Sequence, residues 1–201
     1  MSEHIKMKSV AVFCGSRKGN NPVYEQDAYD LGKRLAEENI TLVYGGGGIG
    51  LMGVLANAVL EHGGKVTGVI PRFFNEEAVG HATISETIWV ESMSDRKTKI
   101  ADISDGFIGL PGGFGTLDEL FEVLVYSQLN LHNKPVGILN SNRFYNPMLS
   151  QLKKMRNENF LYDIHYKMLL VEQSPQKLLE KMKHFTYTQN QDWINRIKKS
   201  V

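Results

Sequence analysis

The chain of 201 residues has one cysteine, Cys14, and no apolar run long enough to cross a membrane. A single cysteine excludes a disulfide within the chain and is typical of proteins from a reducing compartment. A membrane-spanning helix needs about 20 consecutive apolar residues. The first residues, Met1 to Lys6, also lack the apolar core of a signal peptide. These absences predict a cytoplasmic protein with no membrane partner.

The sequence also lacks a surplus of either charge. It has 23 Lys and Arg against 22 Asp and Glu, which gives a formal net charge of +1. Proteins that bind nucleic acid through their overall charge are normally basic, so we expect no nucleic-acid partner. The six histidines show no paired ligand spacing, and we predict no metal site. His81 is the one histidine worth testing, because it lies in a candidate flap.

Two nucleotide motifs are missing or incomplete. There is no G-x-x-x-x-G-K-[ST] loop, which argues against an enzyme that transfers phosphoryl groups from NTP. Gly48, Gly50 and Gly53 spell G-x-G-x-x-G, but Pro71-Arg72 stands where a dinucleotide-binding protein carries an acid for the ribose. Close packing of a helix on the sheet is the alternative explanation of these glycines.

Apolar strands and amphipathic helices alternate along the whole sequence. The strands are predicted at 10–13, 40–44, 65–70, 88–90, 106–110, 135–139 and 169–171. The helices are predicted from Pro22, through His62, at 94–103 with Ser94 as N-cap, at 117–131, at 145–158 and from Ser174-Pro175 with Ser174 as cap.

This alternation predicts an α/β fold: a three-layer, Rossmann-like, doubly wound sheet, mainly parallel, of about seven strands. We expect one nucleotide-binding domain over residues 1–201, with its core at about 8–185. An irregular stretch at 72–85 is a candidate flap. An amphipathic helix at about 190–201 is predicted to pack on the body or on a second subunit.

Three loops follow predicted strands and are rich in glycine: Cys14 to Gly19, Gly45 to Gly53 and Pro111 to Thr116. The carboxyl ends of parallel strands share one edge of a sheet, so these loops are expected to face one crevice. Glycine lets a phosphate or ribose approach the backbone closely. The start of a helix after such a loop binds anions, and Thr116 adds a hydroxyl.

Charged side chains are predicted beside this crevice. Glu119 and Glu122 are three residues apart on a helix and share a face. Arg96 and Lys97 stand near the start of another helix, where cations oppose the helix dipole unless they meet an anion or a carboxylate. Solvated basic residues, and acids that merely complement the dipole, are the alternatives.

Four stretches together resemble the LOG family of cytokinin riboside 5′-monophosphate phosphoribohydrolases. Residues 111–119 match P-G-G-x-G-T-x-x-E, and residues 45–53 resemble G-G-G-x-x-G-L-M-G. Residues 93–97 are similar to M-x-x-R-K, and residues 12–16 are similar to the opening strand of the family. The likeness extends over about residues 10–172.

The resemblance implies the roles of individual residues. Arg96 and Glu119 would be catalytic, with Glu119 beside an oxocarbenium-like transition state. The register of the family's flap glutamate falls on Ala78 in this chain, so one of the two preceding acids, Glu76 or Glu77, would replace it, with Glu77 as the candidate. The remaining substrate-binding residues would be Gly15, Ser16, Gly46, Gly47, Met93, Lys97, Leu110, Gly112, Gly113, Gly115 and Thr116.

The implied reaction is hydrolysis of the N-glycosidic bond of a purine nucleoside 5′-monophosphate, including an N6-prenylated one, to free base and ribose 5-phosphate. It needs no cofactor and no metal. The resemblance also implies a homodimer, with the helix at 117–131 as a candidate contact. A non-catalytic carrier of nucleotide or molybdenum cofactor is the alternative, and a dinucleotide oxidoreductase is a distant third.

Overall fold

A computed structural model describes residues 6–74 and 84–187 of the chain. The strands form one sheet in which all neighbours are parallel, in the order β4-β3-β2-β1-β5-β6-β7. They are β1 (Ser9–Phe13), β2 (Thr41–Tyr44), β3 (Val66–Pro71), β4 (Glu86–Val90), β5 (Phe107–Gly109), β6 (Val136–Leu139) and β7 (Leu169–Glu172). The predicted seven-stranded α/β sheet is confirmed.

The helices cover both faces of the sheet. They are α1 (Val23–Glu37), α2 (Gly50–Glu61), α3 (Met93–Ile103), α4 (Phe114–Gln128), α5 (Asn146–Asn157), α6 (Asp163–Tyr166) and α7 (Pro175–Lys183), with a 3-10 turn at Ser141–Arg143.

Alternation within β1 shows how the three layers arise. Successive side chains of a strand point to opposite faces, so a strand covered on both sides is apolar throughout. Val10 and Val12 belong to an apolar cluster with α1, α2 and α7. Ala11 and Phe13 belong to a second cluster with α3, α4 and α5. The four residues are 0–5% exposed, so the centre of the sheet is buried on both faces.

The strand order places a switch point at the middle of the sheet. The chain runs outward from β1 to β4 and then returns to β5 on the other side of β1. In a doubly wound sheet, the loops that leave such neighbouring strands in opposite directions open a crevice at the carboxyl edge. Here those loops follow Phe13 and Gly109.

Two details of the predicted helices are wrong. The N-cap of α3 is Ser92, whose hydroxyl accepts from the Asp95 amide at 3.0 Å, because the helix begins already at Met93 and places Ser94 inside its first turn. The helix predicted at 117–131 runs from Phe114 to Gln128, so Leu131 lies beyond it. The predicted start of α7 is confirmed, because Ser174 is its N-cap residue and Pro175 its first residue, although the Ser174 side chain makes no capping hydrogen bond.

The turn at Ser141–Arg143 and the short helix α6 were not predicted. The helix expected at 190–201 lies outside the described residues, as does most of the candidate flap, including Glu77 and His81. In the two described segments, 6–74 and 84–187, no helix has the length and apolar character of a membrane span. The same residues contain no group of three or more His, Cys, Asp or Glu arranged to hold a metal ion.

Candidate functional site

The three glycine-rich loops meet at the carboxyl edge of the sheet. The Gly15 amide donates to the Pro111 carbonyl at 3.0 Å, which joins the loops after β1 and β5. The Leu51 amide donates to the Gly15 carbonyl at 3.1 Å, which brings the start of α2 to the same place. The backbone of one loop is therefore hydrogen-bonded to both of the others.

Two glycines are required by this close approach. Gly50 has φ +64°, and a Cβ there would lie 2.2 Å from the carbonyl carbon of Ser16. A Cβ on Gly112 would lie 2.1 Å from Thr116 Oγ1 and 2.9 Å from the Gly15 amide nitrogen. Any other residue at either position would push the loops apart.

A cleft of about 260 Å³ opens between the joined loops. The predicted residues Gly15, Ser16, Gly112 and Gly113 form one part of its wall. The rest of the lining is Arg17, Lys18, Gly19, Tyr24, Leu51, Pro111 and Phe144.

Two helices start at this edge without a side-chain cap. The residue before α2 is Ile49, the residue before α4 is Gly113, and neither makes a side-chain capping bond. The first turns of these helices carry no acid. Amide groups at the first turn of a helix have no partner within the helix, and the dipole favours an anion there. We call these two starts the candidate anion cradle of the site.

The outer side of the cradle is open at α4. A Cβ on Gly113 or Gly115 would meet no atom within 4 Å. Thr116, by contrast, is 4% exposed, with its hydroxyl oxygen directed at Gly112. The geometry thus gives the turn an open outer surface and a buried hydroxyl beneath it.

Arg96 and Glu119 form a largely buried ion pair beside the cradle. Arg96 Nη1 lies 2.6 Å from Glu119 Oε1, and their side chains are 12% and 11% exposed. Arg96 Nε also donates to the Val69 carbonyl in β3, at 3.2 Å. The guanidinium is therefore held by α4 and by the sheet together, and the predicted cation–carboxylate contact is present.

The surroundings of Glu119 act on its protonation in opposite directions. Burial raises the pKa of this carboxyl above its ordinary value, and the charge and hydrogen bond of Arg96 oppose the rise. Asp118 raises the pKa and Lys97 lowers it, both by smaller amounts. Burial, followed by the charge of Glu119, raises the pKa of the Cys14 thiol, so Cys14 stays protonated.

Lys97, the next residue on α3, has a different set of partners. Its Nζ lies 3.1 Å from Asp118 Oδ2 and 2.9 Å from Glu122 Oε2. The second of these carboxylates also accepts a hydrogen bond from the Tyr126 hydroxyl at 2.8 Å. Hydrogen bonding to Glu122 raises the pKa of Lys97, so the ammonium keeps its charge. All three acids of α4 therefore form ion pairs with Arg96 or Lys97 of α3. An interaction with the helix dipole is not enough to explain why acids stand at these positions.

The other predicted site residues lie in different environments. Gly46 and Gly47 are buried, against the side chains of Ile70 and Met52. Leu110 is fully buried, and its carbonyl accepts from the Tyr145 hydroxyl at 2.5 Å. Met93 is 41% exposed at the start of α3.

Sequence reasoning missed the aromatic wall of the cleft. Tyr24 and Phe144 pack edge to face with ring centroids 5.9 Å apart, although 120 positions separate them in the chain. Phe144 follows β6, so the rule that ligands bind at carboxyl ends of strands could have indicated it. The Val69 carbonyl was missed as well, because no sequence pattern marks a main-chain acceptor.

Known proteins share this chain's sequence and fold. A family model described as "Possible lysine decarboxylase" matches residues 52–182. The cytokinin riboside 5′-monophosphate phosphoribohydrolase LOG1 of Arabidopsis thaliana is 42% identical over 180 residues, which cover 90% of this chain and 84% of LOG1. The corresponding LOG enzyme of Oryza sativa subsp. japonica is 40% identical over 90% of this chain and 74% of its own length.

Solved structures confirm the fold. A molybdenum cofactor binding protein from Rippkaea orientalis superposes with a TM-score of 0.67 at 24% identity, over 89% of this chain and 97% of its own. The molybdenum cofactor carrier protein of Chlamydomonas reinhardtii gives 0.62 at 19% identity, over 88% and 100%. These two structures show the fold alone. The sequence identity of this chain is much higher to the two phosphoribohydrolases, at 42% and 40%. The chain therefore belongs to the LOG family of cytokinin riboside 5′-monophosphate phosphoribohydrolases.

Proposed function

We propose that this protein hydrolyses the N-glycosidic bond of purine nucleoside 5′-monophosphates. The substrates are AMP or its N6-prenylated derivatives, and the products are the free base and ribose 5-phosphate. The observation that carries the proposal is the buried Arg96–Glu119 pair beside an anion cradle. Membership in the LOG family supports the same reaction.

The cradle suits the 5′-phosphate of such a substrate. Backbone amides at the start of α4, around Gly113 and Gly115, would donate to the phosphate oxygens, with the dipole of the helix behind them. A Cβ at either glycine would point into open space, so the substrate can approach this turn. Two cations, Arg17 and Lys18, also line the cleft between the joined loops and would favour an anion there.

Glu119 would act at the ribose. When the bond between C1′ and the purine nitrogen breaks, the sugar gains oxocarbenium character, and a nearby carboxylate stabilises that charge. A water oxygen then bonds to C1′, one water proton is lost and the departing base gains a proton. Low solvent exposure of Glu119 strengthens the electrostatic effect, because little water screens it.

Arg96 would have two roles in this reaction. Its guanidinium holds the Glu119 carboxylate at 2.6 Å and favours the ionised form that the transition state requires. Its position at the start of α3, on the same edge as the cradle, also lets it hold the nucleotide.

A carrier of nucleotide or molybdenum cofactor is the second candidate, because proteins with such titles share the fold. A carrier needs the cradle but has no use for a buried carboxylate–guanidinium pair. Hydrolysis is therefore the proposal that accounts for both the cradle and the Arg96–Glu119 pair.

We further propose a homodimer formed through α4. Phe121, Val125 and Leu129 are 36–46% exposed and lie four residues apart, so they form an apolar stripe on one face of that helix. Light scattering of the purified protein should give twice the chain mass of 22.7 kDa, and Val125→Arg should shift it to the monomer. A wild-type monomer at micromolar concentration would contradict this assembly.

The test of the function is product analysis with a panel of purine and pyrimidine nucleoside 5′-monophosphates that includes AMP and N6-prenyl-AMP. We expect release of free base and ribose 5-phosphate from purine members only. The nucleosides without phosphate should react far more slowly, because they cannot use the cradle. A folded protein that releases no base from any monophosphate would refute hydrolysis, and tight binding of a pterin cofactor would then favour the carrier.

A further inference from the structure

Every nitrogen of the Arg96 guanidinium has a neighbour. Nε donates to the Val69 carbonyl at 3.2 Å, and Nη1 lies 2.6 Å from Glu119 Oε1. The remaining nitrogen, Nη2, lies against Gly45, the residue that follows β2. The side chain thus reaches from α3 across the ends of β3 and β2 before it meets α4.

Gly45 leaves room for this path. A Cβ at this position would lie 2.1 Å from Nη2, 3.2 Å from Cζ and 3.6 Å from Nε of Arg96. No other side chain or backbone atom is among these three nearest neighbours. The space that a side chain at residue 45 would fill is therefore occupied by the guanidinium.

The backbone gives no other reason for glycine here. The described glycines with positive φ are Gly19, Gly46, Gly50 and Gly63, and Gly45 is not one of them. Alanine would therefore fit the main chain at residue 45, although it would be strained at Gly46, where φ is +79°.

We propose that Gly45 is a positioning residue for the Arg96–Glu119 pair, because the absence of a Cβ at residue 45 leaves room for the guanidinium where it contacts both the Val69 carbonyl and Glu119. The predicted loss of turnover on substitution of Gly45 rests on the proposed function. The predicted displacement of Arg96 from Glu119 does not. Gly45 acts through Arg96 and does not need to touch the substrate.

The substitution Gly45→Ala should displace the Arg96 guanidinium without unfolding the protein. An arginine side chain can swing away from a new methyl group, so we expect the protein to fold, but the guanidinium can then no longer keep its contacts with Val69 and Glu119. A displacement of about 1 Å at a catalytic group costs about 100-fold in rate, and we expect kcat/KM to fall by that amount.

The carboxyl of Glu119 reports the displacement without any substrate. Arg96 lowers the pKa of Glu119, while Lys97, Asp118 and the nearby Cys14 are left in place by the substitution. Titration of the Glu119 carboxyl followed by ¹³C NMR should therefore shift to higher pH in Gly45→Ala. Arg96→Ala should shift it in the same direction and at least as far.

The double variant Gly45→Ala/Arg96→Ala completes a double-mutant cycle with the two single variants. With the guanidinium gone, the new methyl group has room, so the double variant should match Arg96→Ala in Glu119 titration, kcat/KM and melting temperature. The control is Gly106→Ala, whose Cβ would meet the flexible tip of Met182 at 2.9 Å, just before β5 at the opposite edge of the sheet. It should leave the Glu119 titration unchanged.

Each outcome decides the matter. A Gly45→Ala protein whose Glu119 titrates as in the wild type would overturn the proposal, as would losses that simply add in the double variant. If Gly45→Ala does not fold but the double variant does, the clash with Arg96 is established. If neither folds, residue 45 acts through something else. Absence of hydrolysis by the wild type would refute the proposed function, while the NMR titration would still test the contact.

Discussion

Two groups of ion pairs join the same helices, α3 and α4, yet they differ in depth and in partners. We define the inner pair as Arg96 and Glu119, and the outer cluster as Lys97, Asp118 and Glu122. Side chains of the inner pair are 12% and 11% exposed, whereas those of the outer cluster are 22%, 61% and 23% exposed. Adjacent residues of α3 thus place one cation in a largely buried ion pair and the other in a more exposed cluster.

The comparison shows that charge pairing alone does not identify a catalytic group. Partly exposed ion pairs contribute about 0–1 kcal/mol to stability and are screened by salt. A buried pair is costly to desolvate, and loss of one partner typically destabilises a protein by about 3–5 kcal/mol. Its burial distinguishes the inner pair from the outer cluster, and the catalytic role proposed for Glu119 accounts for a charged group in this place.

Loss of the inner cation should have the largest effect. Arg96→Ala is expected to lower turnover by at least ~100-fold, because the carboxylate loses the group that holds it, and to weaken nucleotide binding as well. Steady-state kinetics with AMP, together with a binding titration, measure the two effects. If the turnover of Arg96→Ala stayed within a few-fold of the wild type, the inner pair would matter no more for catalysis than the outer cluster.

The pH dependence of the reaction should reveal the inner carboxylate. Because burial raises the pKa of Glu119, activity that needs its ionised form should fall on acidification at a higher pH than an ordinary glutamate would give. The acid limb of kcat/KM measures this. It should move upward in a folded Arg96→Lys variant whose shorter ammonium group holds the carboxylate less well. A limb at or below the ordinary glutamate value would contradict the assignment.

Loss of the outer cation should be milder. Lys97→Met is expected to change kcat/KM by about tenfold or less, because a partly exposed ion pair contributes about 1 kcal/mol. Since Lys97 lowers the pKa of Glu119 less than Arg96 does, the acid limb should move upward only slightly. A loss as large as that in Arg96→Ala would place Lys97 in direct contact with the reacting atoms.

The smallest effect is expected at the exposed acid of the outer cluster. Asp118→Asn should leave kcat within about twofold of the wild type, because its side chain is well screened by solvent. The negative charge of Asp118 raises the pKa of Glu119, so its removal should move the acid limb downward, opposite to the Lys97 variant. Matched pH profiles of the two variants test these signs.

Much of the fold was predictable because the strands are short apolar runs that end in glycine-rich turns. Such runs predict parallel strands buried on both faces, and seven strands were expected and found. The sequence predicts Ser94 as the cap of α3, whereas the cap is Ser92, because two serines stand near the start of this helix. Ser92 has an acid three residues later, Asp95, and its hydroxyl bonds to both the amide and the carboxylate of that residue.

The parts of the site that lie at strand ends could be predicted from the sequence. The parts that depend on the path of a side chain could not. The sequence placed Arg96 and Glu119 at one edge, but the route of the guanidinium past Gly45 depends on how α3 crosses the sheet. Phe144 reaches the cleft through a turn in which two residues other than glycine, Asn142 and Arg143, have φ of 47° and 59°. Such conformations are uncommon outside glycine, and no pattern in the sequence indicates them.

The most direct test of the central claim is base release from AMP and N6-prenyl-AMP by the wild type and by Glu119→Gln, measured side by side. Glutamine keeps the size of the side chain and removes its charge, so the variant isolates electrostatic stabilisation. We expect turnover to fall by at least ~100-fold, an effect of about 3 kcal/mol, with a much smaller change in nucleotide affinity. Near-normal turnover in Glu119→Gln would contradict the account, because the buried carboxylate would then have no part in breaking the glycosidic bond.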